Sequence, residues 1–116
     1  MGCRNTIILQ ISPSHATDRV LATHARRRGE FAFKAAGREI GHLHGDHAAH
    51  FGFPTDIWSA LFDEGRIDYH PVFPGRAGFG ARRIETEVDV DQVIAIMRIN
   101  YERVIARHGV PSGTAA

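Results

Sequence analysis

Four of the chain's eight histidines fall within nine residues, in the run Gly41-His42-Leu43-His44-Gly45-Asp46-His47-Ala48-Ala49-His50. Imidazoles that close together can gather a metal ion, titrate together near neutral pH, or decorate a solvated hairpin. His42 and His44 are two apart, and in an extended strand residues i and i+2 share a face. His50 stands beyond a Gly45-Asp46 turn, so an antiparallel return strand carries it near that face. Two same-face imidazoles and a cross-strand third make a candidate ligand set for zinc or another borderline metal, with His42, His44 and His50 as its members. The spacing is not one of the well-known zinc signatures. The plainer alternative is a hairpin whose imidazoles bond backbone and water. Asp46, at the turn, and His70, in a Pro-rich loop long enough to fold back over the strands, complete the candidate surface. His47 is expected to face solvent.

The elements that must position these residues are legible in the periodicity. Between Glu30 and Phe53 the apolar period is two. It predicts a strand around Phe31 and Phe33, a turn at Gly37-Arg38, a strand over 39–44, the Gly45-Asp46 turn and a strand over 47–53. A helix is expected over 55–64, with Thr55 as N-cap, Asp56 in the first turn and Gly65 just past its end. Its apolar face is Ile57, Trp58, Leu61 and Phe62, with Trp58 read as core. Pro71, Pro74, Gly75 and Gly78 make 66–78 irregular, and a further strand is expected over 79–85. A second helix is expected over 90–108. Asp89 and Gln92 are spaced as a capping box, Val90, Val93, Ile94, Met97, Tyr101, Val104 and Ile105 form its stripe, and Gly109 and Pro111 stop it. Trp58, Leu61, Val93, Ile94 and Met97 are the expected core. Thr6 to Ile11 is β-rich, whereas Ala16 to Arg28 reads either as a helix or as a strand running into Arg26-Arg27-Arg28.

Composition narrows the classes. A chain of 116 residues with a net charge of +1 is one domain by its length and has no long-range pull on nucleic acid. The expected division is a single α+β domain over 1–109, with 1–19 atypical, and a disordered tail over 110–116. The lone cysteine, Cys3, forbids an intrachain disulfide and fits a reducing cytoplasm. Met1-Gly2-Cys3-Arg4-Asn5-Thr6 matches the short myristoylation pattern, but one acyl chain anchors weakly and no apolar run approaches a membrane span. No serine sits in a glycine elbow, and no Gly-rich loop carries the lysine that phosphate binding needs. Arg82-Arg83 and Arg26-Arg27-Arg28 are read as solvated basic faces, since no aromatic stacking platform interleaves them.

From about Val20 to Arg103 the sequence resembles a small bacterial family known as the luciferase domain. The residues carrying the resemblance are Glu30-Phe31, Arg38-Glu39-Ile40-Gly41-His42-Leu43-His44-Gly45-Asp46, Phe53-Pro54, Glu64-Gly65-Arg66 and His70-Pro71-Val72-Phe73-Pro74. The helical ending from Glu87-Val88-Asp89-Val90 to Arg98-Ile99-Asn100-Tyr101-Glu102-Arg103 completes them. Against the family pattern, His50 stands in place of an acidic residue and Phe79 near a tryptophan. The resemblance implies a strand at Val20 to Thr23 and a loop at His24 to Gly29. It brings no catalytic residues with it, and the family's name is no sign of light emission. The order of elements also looks like the double-wing arrangement of MmcQ/YjbR-like proteins, a likeness of fold alone.

The fold expected is therefore α+β, an antiparallel meander of four to five strands covered by two helices. The function expected is a module binding a small ligand or a protein partner, of unknown reaction. Its rivals are a metal-dependent enzyme built on His42, His44 and His50, with zinc as the possible cofactor, and a nucleic-acid contact module, which the charge balance disfavours.

Overall fold

The computed structural model describes residues 21–24 and 30–108. Six strands form one antiparallel sheet: β1 (Leu21–His24), β2 (Glu30–Ala35), β3 (Arg38–His44), β4 (Ala48–Gly52), β5 (Asp68–Tyr69) and β6 (Phe79–Arg83). Their order across the sheet is β1-β2-β3-β4-β6-β5. Helix α1 (Thr55–Asp63) follows β4, and α2 (Glu87–His108) is the last described element. Among the described residues this is the expected α+β meander with two helices. The two-residue β5 lies inside the segment read as irregular, because two residues are too few to show a period. His24, expected in a loop, ends β1. The rest of that loop with its three arginines, the β-rich stretch near the start, the acylation pattern and the tail over 110–116 lie outside the described residues.

One face of the sheet is apolar. Phe33 and Ala35 from β2, Ile40 and Leu43 from β3, and Ala49 and Phe51 from β4 join Trp58 and Leu61 of α1 and Val93, Ile96 and Met97 of α2 in a single buried cluster. Ile94, expected at the centre of the stripe, is only half-buried, and Ile96 takes its place. The Trp58 indole N–H donates to Phe79 O at 2.9 Å, which ties α1 to β6.

Helix α2 starts three residues earlier than the pattern suggested. Thr86 and Asp89 make the reciprocal cap: the Thr86 hydroxyl accepts from Asp89 N–H at 3.3 Å, and Asp89 Oδ2 accepts from Thr86 N–H at 3.1 Å and Glu85 N–H at 2.9 Å. Gln92, the other half of the expected box, instead accepts from Arg66 Nε at 2.9 Å. Arg82 selects the earlier start, because its guanidinium donates to Asp89 at 2.7 Å and to Arg66 O at 3.0 Å. The Arg82 bond, then the Glu85 backbone N–H, pull the Asp89 carboxyl down to about 2. In α1 the cap position falls on Pro54 and no side chain caps it, so Thr55 is the first helical residue rather than the cap.

Two local irregularities decide which way side chains face. In β3 the register with β2 slips by one, so that Phe33 pairs with Gly41 and Lys34 with Glu39. Ile40 is the extra residue of a bulge. Ile40 and Gly41 consequently both lie on the helix side. A Cβ on Gly41 would sit 3.0 Å from Met97 Cε and 3.2 Å from Phe51 Cδ1, so a side chain there would press on both. The second irregularity is the β3–β4 connection. His44 pairs with Ala48, so the loop is three residues, 45–47, not the two-residue Gly45-Asp46 turn. Gly45 takes a left-handed φ of 56°, and His47 N–H closes the turn on His44 O at 3.3 Å.

Beyond the last rung of the β3–β4 ladder, the buried Asn100 of α2 donates its side-chain amide to Ile40 O at 3.2 Å and Gly52 O at 2.8 Å. Its own oxygen accepts from Arg103.

Candidate functional site

The opposite face of the sheet carries the histidines. The three-residue loop puts His42 directly across from His50, and opposed residues of an antiparallel pair share a face. A two-residue loop would have set His42 against Ala49 and turned His50 into the core. His42, His44 and His50 come together: ring centroids lie 5.4 Å apart for His42 and His44, 5.1 Å for His42 and His50, and 4.3 Å for His44 and His50. One ring nitrogen from each lies within 4.8 Å of the others'. His70, following β5, folds back as expected and sets its ring 4.1 Å from His50. Asp46 does not join them; it and His47 are exposed in the connecting loop.

Two carboxylates that the sequence reading passed over stand behind the imidazoles. His42 Nδ1 is 2.8 Å from Glu39 Oε2. Residues three apart on a regular strand point to opposite faces; the bulge at Ile40 is what turns Glu39 to the side of His42. The imidazole N–H holds the Glu39 carboxyl below the usual carboxylate range. On the neighbouring strand Glu30 pairs with His44 in register, and its Oε2 is 3.4 Å from His44 Nε2. Cross-strand register was the signal for Glu30. For Glu39 no signal existed without knowledge of the bulge.

His50 is the centre. Only 5% of it is exposed, and its Nδ1 is buried with no hydrogen-bond partner among the described residues. Burial first, then the imidazoles of His70, His44, His42 and His47, push its pKa down to about 3, so it is neutral at physiological pH. Burial, followed by His42 and His44, also lowers His70. A concavity of about 450 Å³ opens over the group, lined by Glu30, His42, His44, His50, His70 and Phe73 among others.

The loop after β5 is firmly built. Phe73 N–H donates to His70 O at 2.9 Å and Arg76 N–H to Phe73 O at 3.1 Å. The rings of Phe73 and Phe79 stack at 4.7 Å, and the Arg76 guanidinium lies 5.5 and 5.4 Å from their centroids.

The described basic pair does not form a comparable site. Arg82 is spent on Asp89 and Arg66, as given above, and Arg83, 77% exposed, is 3.4 Å from Glu85.

The model of one protein family, described as Luciferase domain, matches residues 37–100, more than half of the chain and the span that holds every residue of the cluster. No curated protein and no solved structure matches the chain. The likeness to the double-wing proteins thus stands on the order of elements alone. No described helix is long and apolar enough to cross a membrane.

Proposed function

The chain belongs to the luciferase-domain family, a membership that assigns no chemistry, and from the geometry of its histidine face we propose that the domain holds one divalent ion of the zinc class through His42, His44 and His50. The observation that carries this reading is the orphaned Nδ1 of His50. A buried imidazole nitrogen with no partner costs stability, on the order of 1–3 kcal/mol, yet here it sits among imidazoles instead of apolar side chains. A metal ion supplies the missing partner.

The surroundings support the same reading. Neutral imidazole is the ligating form, and burial keeps His50 in it. Glu39 on His42 Nδ1 reproduces the carboxylate–histidine–metal relay that fixes tautomer and ring orientation. Tetrahedral bonds of about 2.0–2.1 Å put ligand nitrogens about 3.3 Å apart. The ligand atoms, within 4.8 Å of one another, therefore close in by up to about 1.5 Å on taking up the ion. Three protein ligands leave the fourth position to a small molecule, as in metal centres that act on substrates. Such an open position would suit a small-ligand module. The nucleic-acid alternative gains no support, because the described arginines of the basic pair already lie against carboxylates.

Isothermal titration of zinc into untagged protein tests the proposal against a His42→Ala/His44→Ala double variant. The wild type should bind one equivalent and the variant none in the same range, with affinity falling as acid protonates the imidazoles. Equal affinities would sink the metal reading.

A further inference from the structure

His70 is excluded from the ligand set by a hydrogen bond, and the same bond defines what it can do. The Val72 backbone N–H donates to His70 Nδ1 at 3.0 Å. A backbone amide is only a donor, so Nδ1 holds a lone pair and the proton of the neutral ring resides on Nε2. In this tautomer His70 has no second lone pair for a metal. It has one N–H to give to an acceptor. Its ring packs against that of His50 and borders both the concavity of about 450 Å³ and an adjoining one of about 330 Å³. The Phe73 ring, 5.3 Å away, stands beside it, and the turn that starts at its own carbonyl holds the segment in place.

Resting on the metal reading above, we infer that His70 donates its Nε2–H to an anionic oxygen bound at the fourth position of the ion, so that the centre selects small carboxylate-type ligands. All three ligands of the ion are neutral. The carboxylates of Glu39 and Glu30 stand behind His42 and His44 and not on the ion. An oxygen anion at the fourth position meets the charge of the ion on one side and a fixed donor on the other. The donor is set before the ligand arrives, because Val72 already holds its tautomer. A neutral nitrogen ligand gains only from the ion, since its lone pair is used in the metal bond and nothing remains for His70.

Cobalt(II), whose visible spectrum reports coordination, is the probe. The full chain is loaded with cobalt beside three variants: His70→Leu and His70→Ala, which lack the N–H, and His70→Gln, which keeps one at similar reach. Each is titrated with acetate and, separately, with imidazole. Cobalt affinity should agree within about threefold across the four. Acetate affinity should fall about tenfold in His70→Leu and His70→Ala, as expected for loss of a hydrogen bond to a charged group. His70→Gln should recover part of it, and imidazole binding should not weaken in any variant. The Leu variant fills the space of the ring, so a folding defect in the Ala variant alone does not blunt the test. Equal acetate affinity in wild type and the two variants without the N–H overturns the inference and leaves the metal site standing. Loss of cobalt from those variants makes His70 a ligand and also overturns it. A wild-type chain that takes up no cobalt overturns the metal reading and the inference together.

Discussion

The two faces of the sheet come from the same strands and answer opposite demands. On the helix side, Leu43, Ala49 and Phe51 meet Met97 and Ile96, and the buried Asn100 finds two carbonyls and an arginine, although Arg98 Nε of the same helix is buried with no partner among the described residues. On the other side, one residue along each strand, His42, His44 and His50 crowd together, and His50 Nδ1 is buried without a bond. The first arrangement is what burial of apolar area produces unaided. The second gives up hydrogen bonding, and packing does not explain it. Where a small domain buries imidazoles instead of valines, the cost points to a ligand.

The contrast can be broken first on the apolar side. Met97 is fully buried beneath Gly41. Met97→Ala should lower stability by about 2–5 kcal/mol in urea denaturation, the range for deleting a core side chain. A loss under about 0.5 kcal/mol would show that α2 does not seal this face. On the other side the effects should appear in binding. Glu39→Gln should cost about 10–100-fold in zinc affinity, the usual penalty for removing an outer carboxylate, and leave stability within about 0.5 kcal/mol, since Glu39 is exposed. If it unfolds the protein as Met97→Ala does, the two faces are not separable.

A third test sharpens the comparison through pH. In the metal-free folded protein His50 takes its proton near pH 3, whereas unfolded it takes it near pH 6.5. Between these values the unfolded chain holds more protons, so stability rises with pH. The contribution of His50 is complete above about pH 6.5 and is lost on acidification towards pH 3, at about 1.4 kcal/mol per pH unit. His50→Leu should remove that slope and leave stability at pH 7 unchanged or higher, because no nitrogen is then stranded. Superimposable pH profiles for the two proteins would mean that His50 is not buried in its neutral form.

How much of this was written in the chain differs between the layers. The periods of two and 3.6 located β2, β3, β4, β6 and both described helices, because alternation and helical stripes are local and strong, whereas β1 was implied only by the family resemblance. They placed His42, His44 and His50 on a common face for the right strands with the wrong loop. A tight Gly45-Asp46 turn and the three-residue loop actually formed use the same residues, and only the pairing of His44 with Ala48 distinguishes them. Glu39 shows the harder limit. Its approach to His42 depends on the bulge at Ile40, which arises from the pairing of β2 with β3 and leaves no mark in either strand alone. The cap of α2 shows competition between two equally good signals: Thr86-x-x-Asp89 and Asp89-x-x-Gln92 both fit, and a distant residue, Arg82, chose between them. Val93, Met97 and Trp58 were legible as core; Ile96 was not, because the stripe was drawn a few tens of degrees off.

Asn100 gives the imidazole face a dependence on the far side of the sheet. Where β3 and β4 stop bonding to each other, its amide acts as a clasp across both carbonyls. Beyond that point β3 and β4 pair only with their outer neighbours β2 and β6, and the pair nearest the clasp is His42 and His50. The aperture between those two rings is therefore gauged from below, by a helix on the opposite face of the sheet. On the proposed metal reading, the imidazole face inherits its tolerance from the core: a shift of α2 on the sheet would reach the spacing of His42 and His50 through Asn100.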